Sequence, residues 1–193
     1  MKFLKEIALF LFTVFYAVVF IPFFTVALAM ALVFRPINKK HFPRIMARLV
    51  SKVAVLLSAS SVKIIGANNI PFEGKNTVYV CNHQSFFDIP LLLGWIDANI
   101  RFVARKDLLS VPILGSWMRL LRSIPIERRP NREELLRFSR ISEVLAAGDV
   151  IAIFPEGTRS QDGAIGKIHT SSFRPARIAK STLVPIFIWG SYK

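Results

Sequence analysis

The hydrophobic pattern changes character along the chain. From Ile7 to Phe34 no residue is charged, and at about 1.5 Å per residue such a run would reach roughly 42 Å as a single helix. A bilayer's hydrocarbon is about 30 Å thick, so the run is long enough to span it with tilt, or to bend at Pro22 and lie in one leaflet. A buried core helix of a soluble protein is the alternative, but uncharged runs of this length normally meet lipid. Residues 42–58 then follow a helical period. Arg44, Arg48 and Lys52 fall four apart on one side, while Ile45, Met46, Leu49, Val50, Val53, Leu56 and Leu57 fill the other. A basic amphipathic helix of this kind suits the headgroup layer, and packing of its apolar face on the rest of the fold is the competing reading.

Beyond a loop at 66–75 the period turns to strands alternating with helices. Strands are predicted at 77–81, 100–104, 123–126, 149–154 and 183–188, with Pro125 confining the third to an edge or an end. Helices are predicted at 111–121 and from a capping-box-like start at Asn131, through Leu135, Phe138, Ile141, Val144 and Leu145, to a stop at Gly148. Such alternation predicts an α/β fold, a mostly parallel sheet flanked by helices. The division predicted is 1–60 for the N-terminal membrane-associated helices and 61–193 for the α/β domain.

Where the first strand runs out, His83 and Asp88 stand five residues apart across the turn that leads into an apolar helix holding Pro90 in its first turn. Ligands of open α/β sheets bind beyond the carboxyl ends of strands, so this turn is the candidate active site. Asp88 could also be the N-cap of that helix, and His83 a structural histidine. At the end of the 149–154 strand, on the same sheet edge, comes Phe154-Pro-Glu-Gly-Thr-Arg-Ser160. Gly157 permits close backbone approach, Thr158 and Ser160 offer hydroxyls, and Arg159 offers a planar fork, which together look like a phosphate cradle, with an ordinary polar loop as the plainer reading. Glu156 is awkward beside an anion. It is expected to buttress a cation or to accept a hydrogen bond from a substrate hydroxyl.

Composition narrows the partners. Hydrophobic residues make up 53% of the 193, and Lys+Arg outnumber Asp+Glu by 26 to 12 for a net charge of +14. Greasy and basic together suit membrane lipids and an anionic bilayer surface. Nucleic-acid binders are seldom so apolar, and no zinc-finger or RNA-recognition signature occurs, so no nucleic-acid partner is expected. Cys81 is the single cysteine, which excludes an internal disulfide and a cysteine-based zinc cluster. Arg35, Lys39, Lys40, Arg44 and Arg48 follow the apolar run against Lys2 and Lys5 before it. The positive-inside bias then predicts a membrane protein with its catalytic domain on the cytoplasmic face.

Asn82-His-Gln-Ser-Phe-Phe-Asp88, followed by Phe154-Pro-Glu-Gly-Thr-Arg-Ser160, resembles the glycerolipid acyltransferases that make phosphatidate, the 1-acylglycerol-3-phosphate acyltransferases. The likeness extends over roughly 62–188, with Ser123-Ile-Pro-Ile-Glu-Arg128 as the middle motif and Val184-Pro-Ile186 as the last. Pro125 stands where the family usually has an aromatic residue, Ser171-Ser-Phe-Arg174 lacks the family's preceding glycine, and relatives usually continue beyond the last motif. The resemblance implies transfer of an acyl group from acyl-CoA or acyl-carrier protein to the free hydroxyl of lysophosphatidate, with no cofactor and no metal. His83 would be the base, Asp88 its orienting carboxylate, and a backbone N–H near the motif the oxyanion's stabiliser. It also implies phosphate binding by Arg128 and Arg159; Lys106 joins them on its position after a strand, with a solvated basic face as its plainer reading. Three alternatives remain open: remodelling of another lysophospholipid, a thioesterase using Cys81 with His83, and a non-catalytic anionic-lipid-binding protein.

Overall fold

The computed structural model describes residues 14, 21–22, 24–30, 33, 41–70, 75–126, 133–160 and 162–191. Most of the uncharged N-terminal run, Arg128 and the capping-box start at Asn131 lie outside these. Five strands form one sheet: β1 (Thr77–Cys81), β2 (Arg101–Arg105), β3 (Ile124–Ile126), β4 (Val150–Ile153) and β5 (Thr182–Ile186). Their order is β3-β2-β4-β1-β5 and every pairing is parallel. β4 is apolar throughout and buried throughout, as a central parallel strand covered on both faces must be. β3, which holds Pro125, sits at the edge, where a missing backbone N–H breaks no ladder.

Alternation along β1 divides the core. Tyr79 and Cys81 pack with Leu92, Leu93, Ile100 and Phe102 on one face, while Val78 packs with Ile141, Leu145 and Ala176 on the other. The helices are α1 (His41–Leu57), α2 (Asp88–Leu91, continued by a wider turn at Leu92–Ile96), α3 (Leu114–Leu120), α4 (Glu133–Ala146) and α5 (Arg174–Ile178). α3 starts later than its apolar pattern suggests. A tight 3-10 turn at Lys106–Ser110 comes first, and the chain then doubles back so closely that a Cβ on Gly115 would sit 2.0 Å from the Leu109 carbonyl oxygen.

α1 divides its apolar residues between two surroundings. Met46, Ala47 and Val50 are buried with Ala27 and Leu28 of the helical stretch 24–30 and with Trp117 and Leu120 of α3. Ile45, Leu49 and Leu56 point outward, 61%, 51% and 73% exposed. Its basic side also serves the fold, since Arg48 donates from Nε to the Gly94 carbonyl at 3.2 Å and the Lys52 ammonium lies 5.8 Å from the Trp95 ring centre. Packing on the domain therefore accounts for part of this helix. Among the described residues no helix is long and apolar enough to cross a membrane.

Candidate active site

Because β1 and β4 are parallel neighbours, with Val80 beside Ile153, the loops that leave them emerge on one edge. His83 and Phe154 meet there as stacked rings, 4.1 Å between centroids and 22° between planes. His83 Nδ1 lies 2.7 Å from Asp88 Oδ2. Asp88 is fully buried, and the same Oδ2 accepts the backbone N–H groups of Gln84 at 2.7 Å and Ser85 at 2.9 Å. Burial alone would raise the Asp88 pKa, but the bonds from His83, Ser191, Ser85 and Gln84 outweigh it and hold the carboxyl below its ordinary value. An ionised carboxylate can only accept, so in the neutral imidazole the proton sits on Nδ1 and the lone pair on Nε2.

The plainer reading of Asp88 does not describe this geometry. Phe87 occupies the N-cap of α2 without a side-chain capping bond, and Asp88 is the first helical residue, its carboxylate turned back onto residues 83–85. Nor does Cys81 have the setting of a nucleophile. It is 1% exposed in the apolar core, and burial, with the Asp88 charge nearby, pushes its thiol pKa far up.

The second motif meets the first chiefly through main chain. Glu156, 5% exposed, accepts the His83 backbone N–H on Oε1 at 2.8 Å and the Gly166 N–H on Oε2 at 2.7 Å. It thus clamps two loops together, a different task from the cation or substrate contact expected of it. Ser160 N–H donates to the His83 carbonyl at 2.8 Å, and Ser160 Oγ to Asp162 Oδ1 at 3.0 Å. Gly157 turns the loop at φ 68, in the left-handed region that favours glycine. Thr158 and Arg159 are exposed, and the Arg159 guanidinium lies 3.8 Å above the ring centre of Phe86, inside the first motif. The N–H groups of His83, Gln84 and Ser85 all donate to carboxylates, so an oxyanion's donor must come from outside those three. Lys106 is exposed just past the end of β2, on the same sheet edge. Among the described residues no group of three His, Cys, Asp or Glu side chains could hold a metal.

A family model described as Acyltransferase matches residues 61–189. The chain belongs to the acyltransferase family. It is 32% identical over 162 residues to a chloroplast 1-acyl-sn-glycerol-3-phosphate acyltransferase of Arabidopsis thaliana, covering 84% of this chain and 45% of that protein. It is 34% identical over 128 residues to the lyso-ornithine lipid O-acyltransferase of Rhizobium meliloti (strain 1021), covering 66% of this chain and 42% of that one. The crystal structure of the 1-acyl-sn-glycerophosphate acyltransferase PlsC from Thermotoga maritima superimposes with a TM-score of 0.80 at 30% identity, over 100% of this chain and 77% of that one. The chain spans about half the length of the curated relatives it matches.

Further hydrogen bonds brace the two motifs. Asn82 donates from Nδ2 to the Ile188 carbonyl at 2.9 Å and accepts the Ile188 N–H on Oδ1 at 2.7 Å, extending the β1–β5 pairing with a side chain. Gln84 Nε2 donates to the Gly163 carbonyl at 2.8 Å, and the Ser191 hydroxyl donates to Asp88 Oδ1 at 2.6 Å. An isolated serine 103 positions from its partner has no local pattern to announce it.

Proposed function

We propose that this acyltransferase transfers an acyl group from the thioester of acyl-CoA or acyl-carrier protein to the free glycerol hydroxyl of lysophosphatidate, giving phosphatidate. The observation that carries this reading is the His83 Nδ1–Asp88 Oδ2 bond at 2.7 Å. It leaves Nε2 as a base on a ring held by Phe154 on one face. Nε2 takes the hydroxyl proton as the oxygen attacks the thioester carbon. The tetrahedral oxyanion then collapses, the C–S bond breaks, and the leaving thiolate takes the proton back from the imidazolium. The products are an ester and a free thiol, and Asp88 stabilises the imidazolium between these steps.

The acceptor's phosphate monoester carries about −1.5 to −2 charge. Arg159 reaches the base loop, as its stacking on Phe86 shows, and offers two parallel charge-assisted bonds. The exposed Thr158 and the open backbone at Gly157 line the same turn. Lys106 and Arg128 are proposed as supporting cations, and Glu156 as the clamp that keeps this turn against His83.

Membrane lipids are the proposed partners, with residues 1–60 as the membrane-associated part and residues 61–193 as the α/β domain on the cytoplasmic face. The outward apolar residues Ile45, Leu49 and Leu56 of α1, with Val26 and Met30 of the preceding helical stretch, support seating within one leaflet. An assay of lysophosphatidate against a lyso-ornithine lipid, each with acyl-CoA and acyl-carrier protein, tests the reaction. Turnover of lysophosphatidate that disappears in His83→Ala is the expected result. Turnover confined to the phosphate-free acceptor would overturn the acceptor assignment.

A further inference from the structure

The segment after β5 returns to the catalytic edge. Asn82 grips the main chain of Ile188 through both its amide atoms, and Gly190 then turns the chain at φ 83. That turn delivers the Ser191 hydroxyl to Asp88 Oδ1 at 2.6 Å. The carboxylate is fully buried, so bulk water does not compete for Oδ1. Its other oxygen already takes His83 Nδ1 and two backbone N–H groups.

We propose that Ser191 is a positioning residue for the base, acting through Asp88; this rests on the reading of His83 as that base. A carboxylate can swing about its Cβ–Cγ bond, and a second anchor on Oδ1 holds its plane so that Oδ2 meets Nδ1 in line. The hydroxyl also draws charge from the carboxylate. Without it Oδ2 becomes more basic, the imidazolium is stabilised more strongly, and Nε2 is freed of its proton only at higher pH. The other titratable or charged groups around the pair belong to different elements. Cys81 on β1 lies buried beside Asp88, Glu156 after β4 holds the His83 N–H, and Arg159 rests on Phe86. The Ser191 hydroxyl's hydrogen bond goes to Asp88 Oδ1 and to none of these three, so they form a constant background when Ser191 is changed.

The experiment compares steady-state pH profiles of Ser191→Ala, Ser191→Thr, Trp189→Ala and His83→Ala in the full chain, with lysophosphatidate and an acyl thioester. Ser191→Ala is expected to lower kcat about tenfold with KM unchanged, and to displace the acid limb of the kcat profile to higher pH. Ser191→Thr, which keeps the hydroxyl, restores both. Trp189→Ala disturbs the same segment at an exposed side chain and leaves the limb in place. A silent Ser191→Ala beside a dead His83→Ala overturns the role of Ser191 alone, as does an equal displacement of the limb in Trp189→Ala. Full activity in His83→Ala overturns the base assignment and, with it, the role given to Ser191.

Discussion

Glu156 Oε1 accepts the backbone N–H of His83 at 2.8 Å, so the loop after β4 holds the loop after β1 by its main chain. The other oxygen holds Gly166, and a Cβ on Gly166 would stand 2.9 Å from it. Glu156→Gln must present an NH₂ to one of two N–H donors. The expected loss is about 1–3 kcal/mol in urea unfolding. A wild-type midpoint with activity lost would instead assign the carboxylate to substrate.

Asp88→Asn should cost far more activity than stability near neutral pH. The amide's single oxygen suits the Oδ2 position, where His83, Gln84 and Ser85 all meet it, but the charge that stabilises the imidazolium is gone, and the expected loss is roughly 10²- to 10⁴-fold in kcat. Retention of more than a tenth of wild-type kcat would remove Asp88 from the mechanism.

Acid stability follows from the same carboxylate. Its folded pKa is lowered, so the stabilisation it contributes is present above the unfolded carboxylate value and disappears as pH falls through the folded one. Urea midpoints measured from pH 6 downward should fall more steeply in wild type than in Asp88→Asn. Parallel curves would show that other carboxylates govern acid unfolding.

Cys81→Ala should keep its activity, because the thiol is buried in the core and held protonated. Incubation of wild type with radiolabelled acyl thioester should leave no label on the protein. A stable acyl-enzyme absent from Cys81→Ala would establish covalent catalysis in place of direct attack.

Arg159→Lys removes both the fork and the flat face stacked on Phe86. The expected fall in kcat/KM for lysophosphatidate is roughly 10- to 150-fold. Phe86→Leu alone should cost about 2- to 5-fold, the range of an exposed cation–π contact. In the double variant the Phe86 change should add little. Full additivity would show that the two residues act separately.

For the membrane, Arg44 is a basic probe on α1 that sits half-buried near residues 98–101, while Arg48 bonds the Gly94 carbonyl and Lys52 lies near Trp95. Arg44→Ala should weaken binding to anionic vesicles about fivefold. Deleting residues 1–60 would uncover Trp117 and Leu120, which Met46, Ala47 and Val50 cover, and so would disturb the fold together with the membrane contact.

What the sequence determined by itself was local. Alternating β-branched residues placed a strand at 77–81, the apolar run within 149–154 placed another, found at 150–153, and Pro125 confined β3 to an edge or an end, because burial pattern and backbone sterics act between near neighbours. The likeness of two short motifs to a known family named the chemistry to look for. Hydrogen-bond partners were decided elsewhere. The spacing of His83 and Asp88 allowed either a capping aspartate or a facing pair, and the tertiary structure put Phe87 at the cap and turned Asp88 inward. Glu156 read as a buttress for a cation or an acceptor for a substrate hydroxyl, and parallel pairing of β1 and β4 set its carboxylate against the His83 amide. Ser191 reaches Asp88 only because β5 lies beside β1 and Asn82 carries the pairing on to Ile188. A polar group's partner depends on which distant segments the sheet order brings to one edge, and no local period of the sequence encodes that.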